Sequence, residues 1–485
     1  MADRPNILFI LTDQHAQRVA GCYGDGIADT PNLDRLAETG VTFDNAYCPA
    51  PLCVPSRMAM MSGRYPDAID CYGNHETLHT DIPTFAHSLA MAGYHTALVG
   101  RMHWLGPDQT HGFHERRVGE VGPTWAGGKA PELGPVAPAR GSKGPSFSCS
   151  GIGYTAHHYF DEDVTANACA FIDAIKEKEQ APFCLMASWF LPHQPYVAEQ
   201  DDFEFFRGRV PAPQLTPAAP EHPYIHAWRE QTELLDIPAE VTQRARTAYY
   251  ANVRKIDRMS GQILDRLRAN GLLENTIVVY ASDHGEQIGE RGLWCKSTLY
   301  DQSAKVPLIV SWPGCLPENE HRDQIVNLID LNATLLEAAG APPLPNSQGR
   351  SFLSVAKDET GPWTNETFSE FYGGMMTVEV PPVQHRMIRT DRWKLNYYHG
   401  HPPQLFDMIQ DPNELRDLAG LPEFSEIQAE LTQRVLANWD PERIARRMAE
   451  KAPDIDLRRA WAKATDPAEP DRYPFRDPDE NWLES

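Results

Sequence analysis

Near its N-terminus the chain reads Asn6-Ile-Leu-Phe-Ile-Leu-Thr12, an apolar run that leads directly into Asp13-Gln14-His15. Three later segments repeat this arrangement: residues 96–100 lead into Arg101-Met-His103, residues 183–190 into Pro192-His193, and residues 276–282 into Asp283-His284. Continuous apolar runs are typical of strands buried on both faces of a largely parallel sheet. Because ligand sites of open α/β sheets lie beyond the carboxyl ends of the strands, we expect the four polar clusters to share one site.

Segments with helical spacing lie between these runs. Residues 34–38, 84–93 and 244–270 are predicted helices, and the longest has an apolar face and Gly271 as its end. Residues 105–158 and 195–240 are instead rich in Pro, the first also in Gly, and loops of this length are typical of lids or partner contacts. Aromatic side chains of these regions are candidates to line a substrate pocket: Trp104, Trp125, Tyr154, Tyr196, Trp228 and Trp294.

The pattern changes near residue 364. Residues 367–372, 385–390, 393–398 and 404–408 read as short antiparallel strands, and a helix is predicted over about 425–438. We therefore predict a catalytic domain over residues 1–363 and a small C-terminal α+β domain over residues 364–485. The last forty or so residues are Pro-rich and charged, which predicts an irregular tail that wraps a neighbour or its own body, or simply frays.

The composition is that of a globular protein with a large core. Of its 485 residues, 41% are hydrophobic and 23% are charged, and 67 acidic against 44 basic side chains give a formal net charge of −23. A nucleic-acid partner needs a basic face, so we expect none. An anionic substrate must then be captured by a local cluster of Arg, Lys, His and metal rather than by the overall field.

Targeting signals are not apparent in the sequence. The apolar residues 7–11 are too few for a membrane span or a signal peptide, and we expect no membrane partner. The nine cysteines are odd in number and have no disulfide-framework spacing, which indicates reduced thiols and a cytoplasmic protein. A precursor trimmed before this sequence begins is the alternative.

The most specific motif is Cys53-Val-Pro-Ser-Arg57, followed by Ser62-Gly-Arg64. Pro55 suits the first turn of a helix and Gly63 its end, so residue 53 is predicted at a helix N-terminus, where an anion is favoured. Arg57 lies one turn further on and can face the same way. This motif resembles the signature of type I sulfatases. The resemblance extends from Asp13 to the C-terminal strands, including the segments RTDRWKL (389–395) and LFDMIQDPNE (405–414).

The resemblance implies an alkaline-phosphatase-like α/β sandwich with a large, mostly parallel sheet and a short antiparallel sheet in the C-terminal domain. It implies that a formylglycine-generating enzyme oxidises Cys53 to formylglycine, whose hydrate attacks the sulfur of a small organic sulfate monoester and later expels sulfate. The products are an alcohol and sulfate. A homo-oligomer, dimer or tetramer, is also expected.

The resemblance also implies a metal site formed by Asp13, Gln14, Asp283 and His284. Carboxylate and amide oxygens suit Ca²⁺. The family usually has Asp where Gln14 stands and Asn where His284 stands. The variant pairs resemble phosphonate monoester hydrolases and choline-sulfatase-like members, and they make Mn²⁺ or Mg²⁺ an alternative to Ca²⁺.

Five further residues receive roles by resemblance. His103 is the expected base that helps to expel sulfate. Arg101 replaces the family lysine beside it and is expected to bind the substrate anion. His193, in LPHQPY, matches the histidine on the leaving oxygen, and Lys296 matches the lysine that donates to that oxygen or to sulfate. Asn74 is expected to hydrogen-bond a nonbridging oxygen.

Three functions remain open from the sequence. His103 favours a sulfatase. The Gln14, His284 and Asn74 variants favour a phosphonate monoester or phosphodiester hydrolase that uses the same nucleophile. A non-enzymatic binding protein with an unmodified Cys53 is the third reading, and the retention of every polar cluster argues against it.

Overall fold

The computed structural model describes residues 4–139, 141–177, 182–359, 361–373, 383–474 and 476–484. Its strands are β1 (Asn6–Asp13), β2 (Val41–Tyr47), β3 (His95–Gly100), β4 (Glu115–Arg117), β5 (Gly151–Tyr154), β6 (Phe183–Pro192), β7 (Val197–Ala198), β8 (Thr276–Ser282), β9 (Leu308–Ser311), β10 (Glu320–Asn327), β11 (Glu366–Phe371), β12 (His385–Thr390), β13 (Trp393–Tyr398), β14 (Gln404–Asp407) and β15 (Trp482–Leu483). Its α-helices are α1 (Pro31–Glu38), α2 (Cys53–Ser62), α3 (Phe85–Met91), α4 (Gly144–Phe147), α5 (Ala156–Glu177), α6 (Gln200–Phe206), α7 (Pro223–Gln231), α8 (Ala239–Ala269), α9 (Asp301–Ala304), α10 (Asp330–Ala339), α11 (Leu353–Ala356), α12 (Ser425–Leu436) and α13 (Pro441–Thr465).

An eight-stranded sheet forms the centre of the molecule, in the order β10-β2-β9-β8-β1-β6-β3-β4. Strand β9 is antiparallel to β2 and β8, and every other neighbouring pair is parallel. The four apolar runs that end in polar clusters are the adjacent strands β8, β1, β6 and β3. This confirms the predicted α/β class with a large, mostly parallel sheet.

The register of these four strands brings their carboxyl ends level. Thr12 pairs with Ser282, Asp13 with Pro192, and Gly100 with Ser188. The residues that follow each strand therefore leave the sheet at one edge, where open parallel sheets bind their ligands.

Helices cover both faces of the sheet, because side chains of a strand alternate between the two faces. In β1, Ile7, Phe9 and Leu11 pack into one apolar core with α2, α3 and α10. Leu8 and Ile10 pack into the other core with α1, α5 and α8. Helical spacing predicted α1, α3 and α8, and Pro55 and Gly63 predicted α2, whereas α5 and α10 were not predicted.

The structure extends α1 and α8 at their N-termini relative to the predicted helices, whereas α3 is shorter than the predicted 84–93. Helix α1 begins at Pro31, three residues before the predicted start, since proline is compatible with a first helical turn. The carboxylate of Asp257 accepts hydrogen bonds from the backbone N–H groups of Asn32 and Leu33, which lie in that turn. A long-range partner of this kind cannot be found from local spacing.

The C-terminal strands form a separate antiparallel sheet in the order β11-β12-β13-β14, as predicted. Helix α12 contributes Leu431 and Val435 to the apolar core of this sheet. The division of the chain at residue 364 stays a prediction.

The predicted irregular tail is wrong over much of its length, because residues up to Thr465 continue the 25-residue helix α13. This helix starts on Pro441 behind the N-cap of Asp440, and its Ala, Arg, Glu and Lys residues have high helix propensity. Beyond it the chain lies along its own body. Tyr473 N–H donates to the Glu120 carbonyl, and β15 pairs antiparallel with β5.

Within the described ranges, the structure contains no helix long and apolar enough to cross a membrane. All nine cysteines are unpaired thiols. The cytoplasmic location inferred from the cysteine count stays a prediction.

Candidate active site

Cys53 is the first residue of α2 and is buried at the sheet edge that carries the polar clusters. Its Sγ lies 3.0 Å from Lys296 Nζ, 3.2 Å from His284 Nε2 and 3.7 Å from Asp13 Oδ1. The N-cap residue Leu52 makes no side-chain cap; the Val54 N–H instead donates to Asn74 Oδ1, and the Ser56 N–H donates to the Leu52 carbonyl. Helix α2 ends at Gly63 with a positive φ of 71°, as the motif predicts.

Arg57 lies one turn into α2 and is completely buried between two carboxylates. Its Nε donates to Asp283 Oδ2 at 2.7 Å and its Nη2 to Asp13 Oδ2 at 3.1 Å. Its Nη1 donates to the Arg101 carbonyl and to Ser188 Oγ. Arg57 therefore links the ends of β1, β3, β6 and β8 to the helix that carries Cys53.

Three of the four predicted metal ligands form a compact buried cluster with Cys53. The candidate ligand atoms of Asp13, Cys53, Asp283 and His284 lie within 4.8 Å of one another. Asp13 Oδ1 is buried, and its nearest partners are Cys53 Sγ at 3.7 Å and His284 Nε2 at 3.6 Å. A buried carboxylate oxygen without a close donor fits a cation, so these residues are suited to hold a divalent metal ion.

Gln14 is held in one amide orientation. Its Oε1 accepts a hydrogen bond from Lys296 Nζ at 2.7 Å, and its Nε2 donates to Gln194 Oε1 at 2.7 Å and to Glu286 Oε2. The backbone at Gln14 has a positive φ of 71°, which is uncommon outside glycine and recurs at functional sites. This orientation directs the amide oxygen toward Lys296 and the Cys53 side of the cluster.

Arg101 and His103 follow β3, as predicted, and protein groups engage two of the nitrogens of the Arg101 guanidinium. Its Nε donates to Asp13 Oδ2 at 2.7 Å, and its Nη2 lies 2.9 Å from His103 Nδ1. The buried Glu120 holds the turn, because its Oε1 accepts the backbone N–H groups of Met102 and His103. His103 has a positive φ of 63°, so this support keeps it in a conformation that non-glycine residues seldom adopt.

His193 and Asn74 flank the cluster. His193 Nδ1 lies 2.7 Å from the Gln194 carbonyl, and its side chain interacts with Cys53. Asn74 Oδ1 accepts the backbone N–H of Val54 at 3.0 Å, so it binds the first turn of α2 and leaves its amide N–H groups as donors.

The environment of the site lowers the pKa of the Asp13 carboxyl and also the pKa values of the imidazoles of His284 and His103. Burial alone would raise the pKa of Asp13, but the surrounding charges, with Arg101 foremost, hold it well below its ordinary value. Burial lowers the pKa of His284 to about 4. Burial, assisted by Arg101, lowers the pKa of His103 well below its ordinary value. The imidazoles are therefore neutral at physiological pH and are able to bind a metal ion or accept a proton.

The sequence did not predict the residues that support the site residues through hydrogen bonds. Glu120, Ser188, Gln194 and Glu286 each bind a predicted site residue through its side chain or backbone. Two of them carried a weak signal, since Gln194 follows His193 and Glu286 lies two residues after His284. Glu120 gave none, because it reaches the site from an irregular segment.

The chain is similar to known sulfatases. The family model described as Sulfatase matches residues 5–341, and that described as N-sulphoglucosamine sulphohydrolase, C-terminal, matches residues 289–440. The chain is 32% identical to a choline-sulfatase of Rhizobium meliloti (strain 1021), over 90% of this chain and 88% of the relative. It is 26% identical to an N-acetylglucosamine-6-O-sulfatase of Bacteroides thetaiotaomicron, over 89% of this chain and 85% of the relative.

Solved structures share the fold. One is described as a complex with its substrate D-glucosamine-2-N,6-O-disulfate and aligns with a TM-score of 0.72 at 24% identity, covering 93% of this chain and 99% of that chain. A phosphonate monoester hydrolase from Silicibacter pomeroyi aligns with a TM-score of 0.72 at 23% identity, covering 89% and 94%. With the family match over most of its length, the chain belongs to the sulfatase family, in the alkaline-phosphatase-like superfamily, and is a sulfuric ester hydrolase.

Proposed function

We propose that the protein hydrolyses a small organic sulfate monoester to an alcohol and sulfate, with formylglycine derived from Cys53 as the nucleophile. The observation that carries this proposal is the position of Cys53 at the start of α2, with Lys296, His284 and Asp13 all within 3.7 Å of its Sγ. The catalytic machinery is assigned to residues 1–363.

Formylglycine at position 53 would supply an aldehyde hydrate, of which one hydroxyl attacks sulfur and the other releases sulfate. The chain's own residues prepare this position. The N-terminus of α2 favours negative charge beside residue 53. Arg57 fixes the helix against Asp13 and Asp283, so the nucleophile cannot shift relative to the ends of the strands.

Asp13, Gln14, Asp283 and His284 would hold one divalent metal ion, which would polarise the sulfate oxygens. Oxygen donors predominate in this set, which supports Ca²⁺, whereas the imidazole of His284 keeps Mn²⁺ and Mg²⁺ as alternatives. The orientation of Gln14, set by Glu286 and Gln194, supports its amide oxygen as the fourth donor.

Proton transfer is assigned to three side chains. His103 is neutral and lies beside Arg101, so it is suited to accept a proton as sulfate leaves. Burial opposes the charge of Lys296, but Cys53, Asp13 and Asp283 raise its pKa above the ordinary value. The two carboxylates remain after conversion of Cys53, and Lys296 is assigned as the cation that donates to the ester. His193, whose side chain interacts with Cys53, is assigned to the leaving oxygen. Arg101 and Asn74 are assigned to the nonbridging oxygens through the N–H groups that the protein leaves free.

A phosphonate monoester or phosphodiester hydrolase is the second candidate. Gln14 and His284, which depart from the usual sulfatase ligands, favour it, whereas His103 favours sulfate. The proposal also includes maturation by a formylglycine-generating enzyme, assembly as a dimer or tetramer, and a cytoplasmic location.

The test is steady-state hydrolysis of an aryl sulfate and an aryl phosphonate monoester by one metal-loaded preparation. The peptide that contains residue 53 is weighed by mass spectrometry to measure its conversion. We expect a higher kcat/KM for the sulfate. A preference for the phosphonate would replace the first candidate with the second, and full activity with unconverted Cys53 would exclude the formylglycine mechanism.

A further inference from the structure

Before conversion of Cys53, the active site carries a set of candidate metal ligands that includes a sulfur atom. The ligand atoms of Asp13, Cys53, Asp283 and His284 all lie within 4.8 Å of one another. In the part of the chain that the structure describes, this is the only such group of three or more Cys, His, Asp or Glu side chains. The formylglycine form keeps three of these ligands and lacks the sulfur, so the two forms of the protein offer different donors to a metal ion.

The spacing of the four ligand atoms is close to that of a tetrahedron. Cys53 Sγ lies 3.2 Å from His284 Nε2 and 3.7 Å from Asp13 Oδ1. His284 Nε2 lies 3.6 Å from Asp13 Oδ1 and 3.5 Å from Asp283 Oδ1. Zinc bonds of about 2.0–2.3 Å at tetrahedral angles require roughly 3.3–3.6 Å between neighbouring ligand atoms. A zinc ion therefore fits this set with only small movements of the side chains.

Hydrogen bonds within the protein orient the imidazole and the carboxylates of this set. His284 Nδ1 lies 3.0 Å from the Gly285 carbonyl, which can only accept, so Nδ1 carries the proton and Nε2 presents its lone pair to the cluster. Arg57 binds the second oxygen of each carboxylate. Asp283 Oδ1 already accepts the backbone N–H groups of Gln14 and His284, so Asp283 is the weakest of the four ligands.

The sulfur atom decides which metal ion the set prefers. A thiolate with imidazole and carboxylate in a tetrahedral arrangement is typical of zinc sites, whereas Ca²⁺ and Mg²⁺ take six or more oxygen ligands. Lys296 Nζ lies 3.0 Å from Cys53 Sγ and donates to the thiolate once metal binding has released the thiol proton to solvent. Cys53 is 1% exposed, so the folded protein shields the thiol from external reagents.

We infer that folded protein with an unconverted Cys53 is a zinc-binding form, in which the Cys53 sulfur binds Zn²⁺ together with His284 and the two carboxylates. Conversion removes the sulfur and leaves a site that prefers metals with oxygen ligands. Maturation therefore changes the metal preference of the site as well as its nucleophile. The inference rests on the proposed function in treating Cys53 as the residue that is converted, whereas zinc binding itself needs only the thiol.

The experiment compares folded, chelator-treated protein in the unconverted and converted states, each defined by the mass of the peptide that contains residue 53. Zn²⁺ alone is titrated in competition with a chromophoric chelator, and Mn²⁺ alone is titrated by calorimetry. Co²⁺ alone is added to detect the thiolate-to-cobalt charge-transfer absorption, which reports a sulfur ligand. The variants, made without the maturation enzyme, are Cys53→Ser and His284→Asn. The matched control is Cys48→Ser, at a buried thiol outside the ligand set.

We expect the unconverted protein to bind one Zn²⁺ and to show the charge-transfer absorption with Co²⁺. Cys53→Ser and conversion should each abolish this absorption and weaken zinc binding at least about 100-fold, because changes outside the ligand set already cost up to that amount. Cys53→Ser should affect Mn²⁺ binding much less, since Mn²⁺ prefers the oxygen donors. His284→Asn should weaken zinc binding, and Cys48→Ser should change neither the zinc affinity nor the absorption.

The outcomes separate this inference from the proposed function. Zinc binding of equal strength in the unconverted protein and in Cys53→Ser overturns the inference, as does bound Co²⁺ without the charge-transfer absorption. Loss of the absorption in Cys48→Ser also overturns it, because the sulfur ligand would then lie elsewhere. Converted, metal-loaded protein that hydrolyses no sulfate ester overturns the proposed function, while zinc binding that depends on Cys53 still supports the inference.

Discussion

The molecule contains two buried clusters of charged side chains. They differ in how completely the protein's own cations and donors pair with the buried carboxylates. The interface cluster comprises Tyr47, Asp301, Arg389, Lys394 and Glu414, and it joins the small sheet to the main body. Lys394 Nζ lies 2.6 Å from Asp301 Oδ1 and 2.7 Å from Glu414 Oε1, and Tyr47 OH also donates to Asp301. Each carboxylate of this cluster has a cation from the protein itself.

The catalytic cluster comprises Asp13, Arg57, Arg101, Asp283 and Lys296. Asp13 Oδ2 accepts hydrogen bonds from both arginines, but Asp13 Oδ1 has only partners at 3.6 Å or more. The difference indicates that the ion pairs of the interface cluster contribute to stability. Asp13 Oδ1, which has no close hydrogen-bond donor, is instead available to a ligand. Changes in the first cluster should therefore reduce stability, and changes around the second should reduce activity or metal affinity.

The largest effect is expected at the nucleophile. Cys53→Ala should lower kcat for sulfate ester hydrolysis by at least about 10⁴-fold, since no other group can form the covalent bond to sulfur. The free energy of unfolding should change by less than about 1 kcal/mol, because the substitution is small. Steady-state kinetics and urea denaturation measure the two quantities. Activity close to that of the unsubstituted enzyme would contradict the assignment.

The interface cluster should respond in the opposite way. Lys394→Met removes the cation that pairs directly with both Asp301 and Glu414 and should lower the free energy of unfolding by about 3–5 kcal/mol. The kcat/KM of the folded fraction should stay within about twofold. Arg392→Gln is the matched control, because Arg392 is 52% exposed and its ion pair with Asp407 should contribute less than about 1 kcal/mol. Equal effects of the two substitutions would remove the distinction between the clusters.

Asp161 provides a third kind of buried carboxylate, one held by backbone groups without a hydrogen-bonded cation in the described ranges. It accepts the N–H groups of Phe190 and Leu191, and burial raises its pKa to about 7. The folded state then retains a proton that the unfolded state releases near pH 4. This group therefore lowers stability as the pH rises from about 4 to 7, and its unfavourable contribution is complete above pH 7.

Asp161→Asn should remove this pH dependence. Between pH 5 and 7 the native protein should lose about 2 kcal/mol relative to the variant, measured by urea denaturation at each pH. Glu162→Gln is the control, since Glu162 is the adjacent residue with an exposed side chain. Parallel pH profiles for the native protein and Asp161→Asn would show that Asp161 is ionised throughout this range.

The smallest effect is expected for Glu286, which supports the catalytic cluster through Gln14. Glu286 accepts Gln14 Nε2 and Tyr196 OH, so Glu286→Gln should loosen the Gln14 amide and weaken divalent metal binding about tenfold. Isothermal titration with Ca²⁺ and Mn²⁺ measures this independently of turnover. Glu290→Gln is the control, because Glu290 is buried on the same segment but binds Arg246. An unchanged dissociation constant would exclude Glu286 from a role in orienting Gln14.

Much of the site was visible in the sequence because each polar cluster directly follows a strand of low polarity. The pattern at Asp13 and Asp283 predicted both the buried strands and their common edge. The proline and glycine around Cys53 predicted the bounds of α2. Helix α13 was not visible, since its exposed, charged surface has no regular apolar stripe and Pro453 lies within it.

The sequence by itself therefore determined the α/β class, the mostly parallel sheet, the sulfatase signature and the side chains that converge at the strand ends. These properties are encoded locally, in periodicity and in motifs a few residues long. Only the tertiary structure decided how Glu120 supports His103, how Glu286 orients Gln14, and how Trp461 of α13 meets Trp125. Those contacts join residues that are far apart in the chain. Periodicity and short motifs in a single sequence report only on residues that are close in the chain, so they do not predict such contacts.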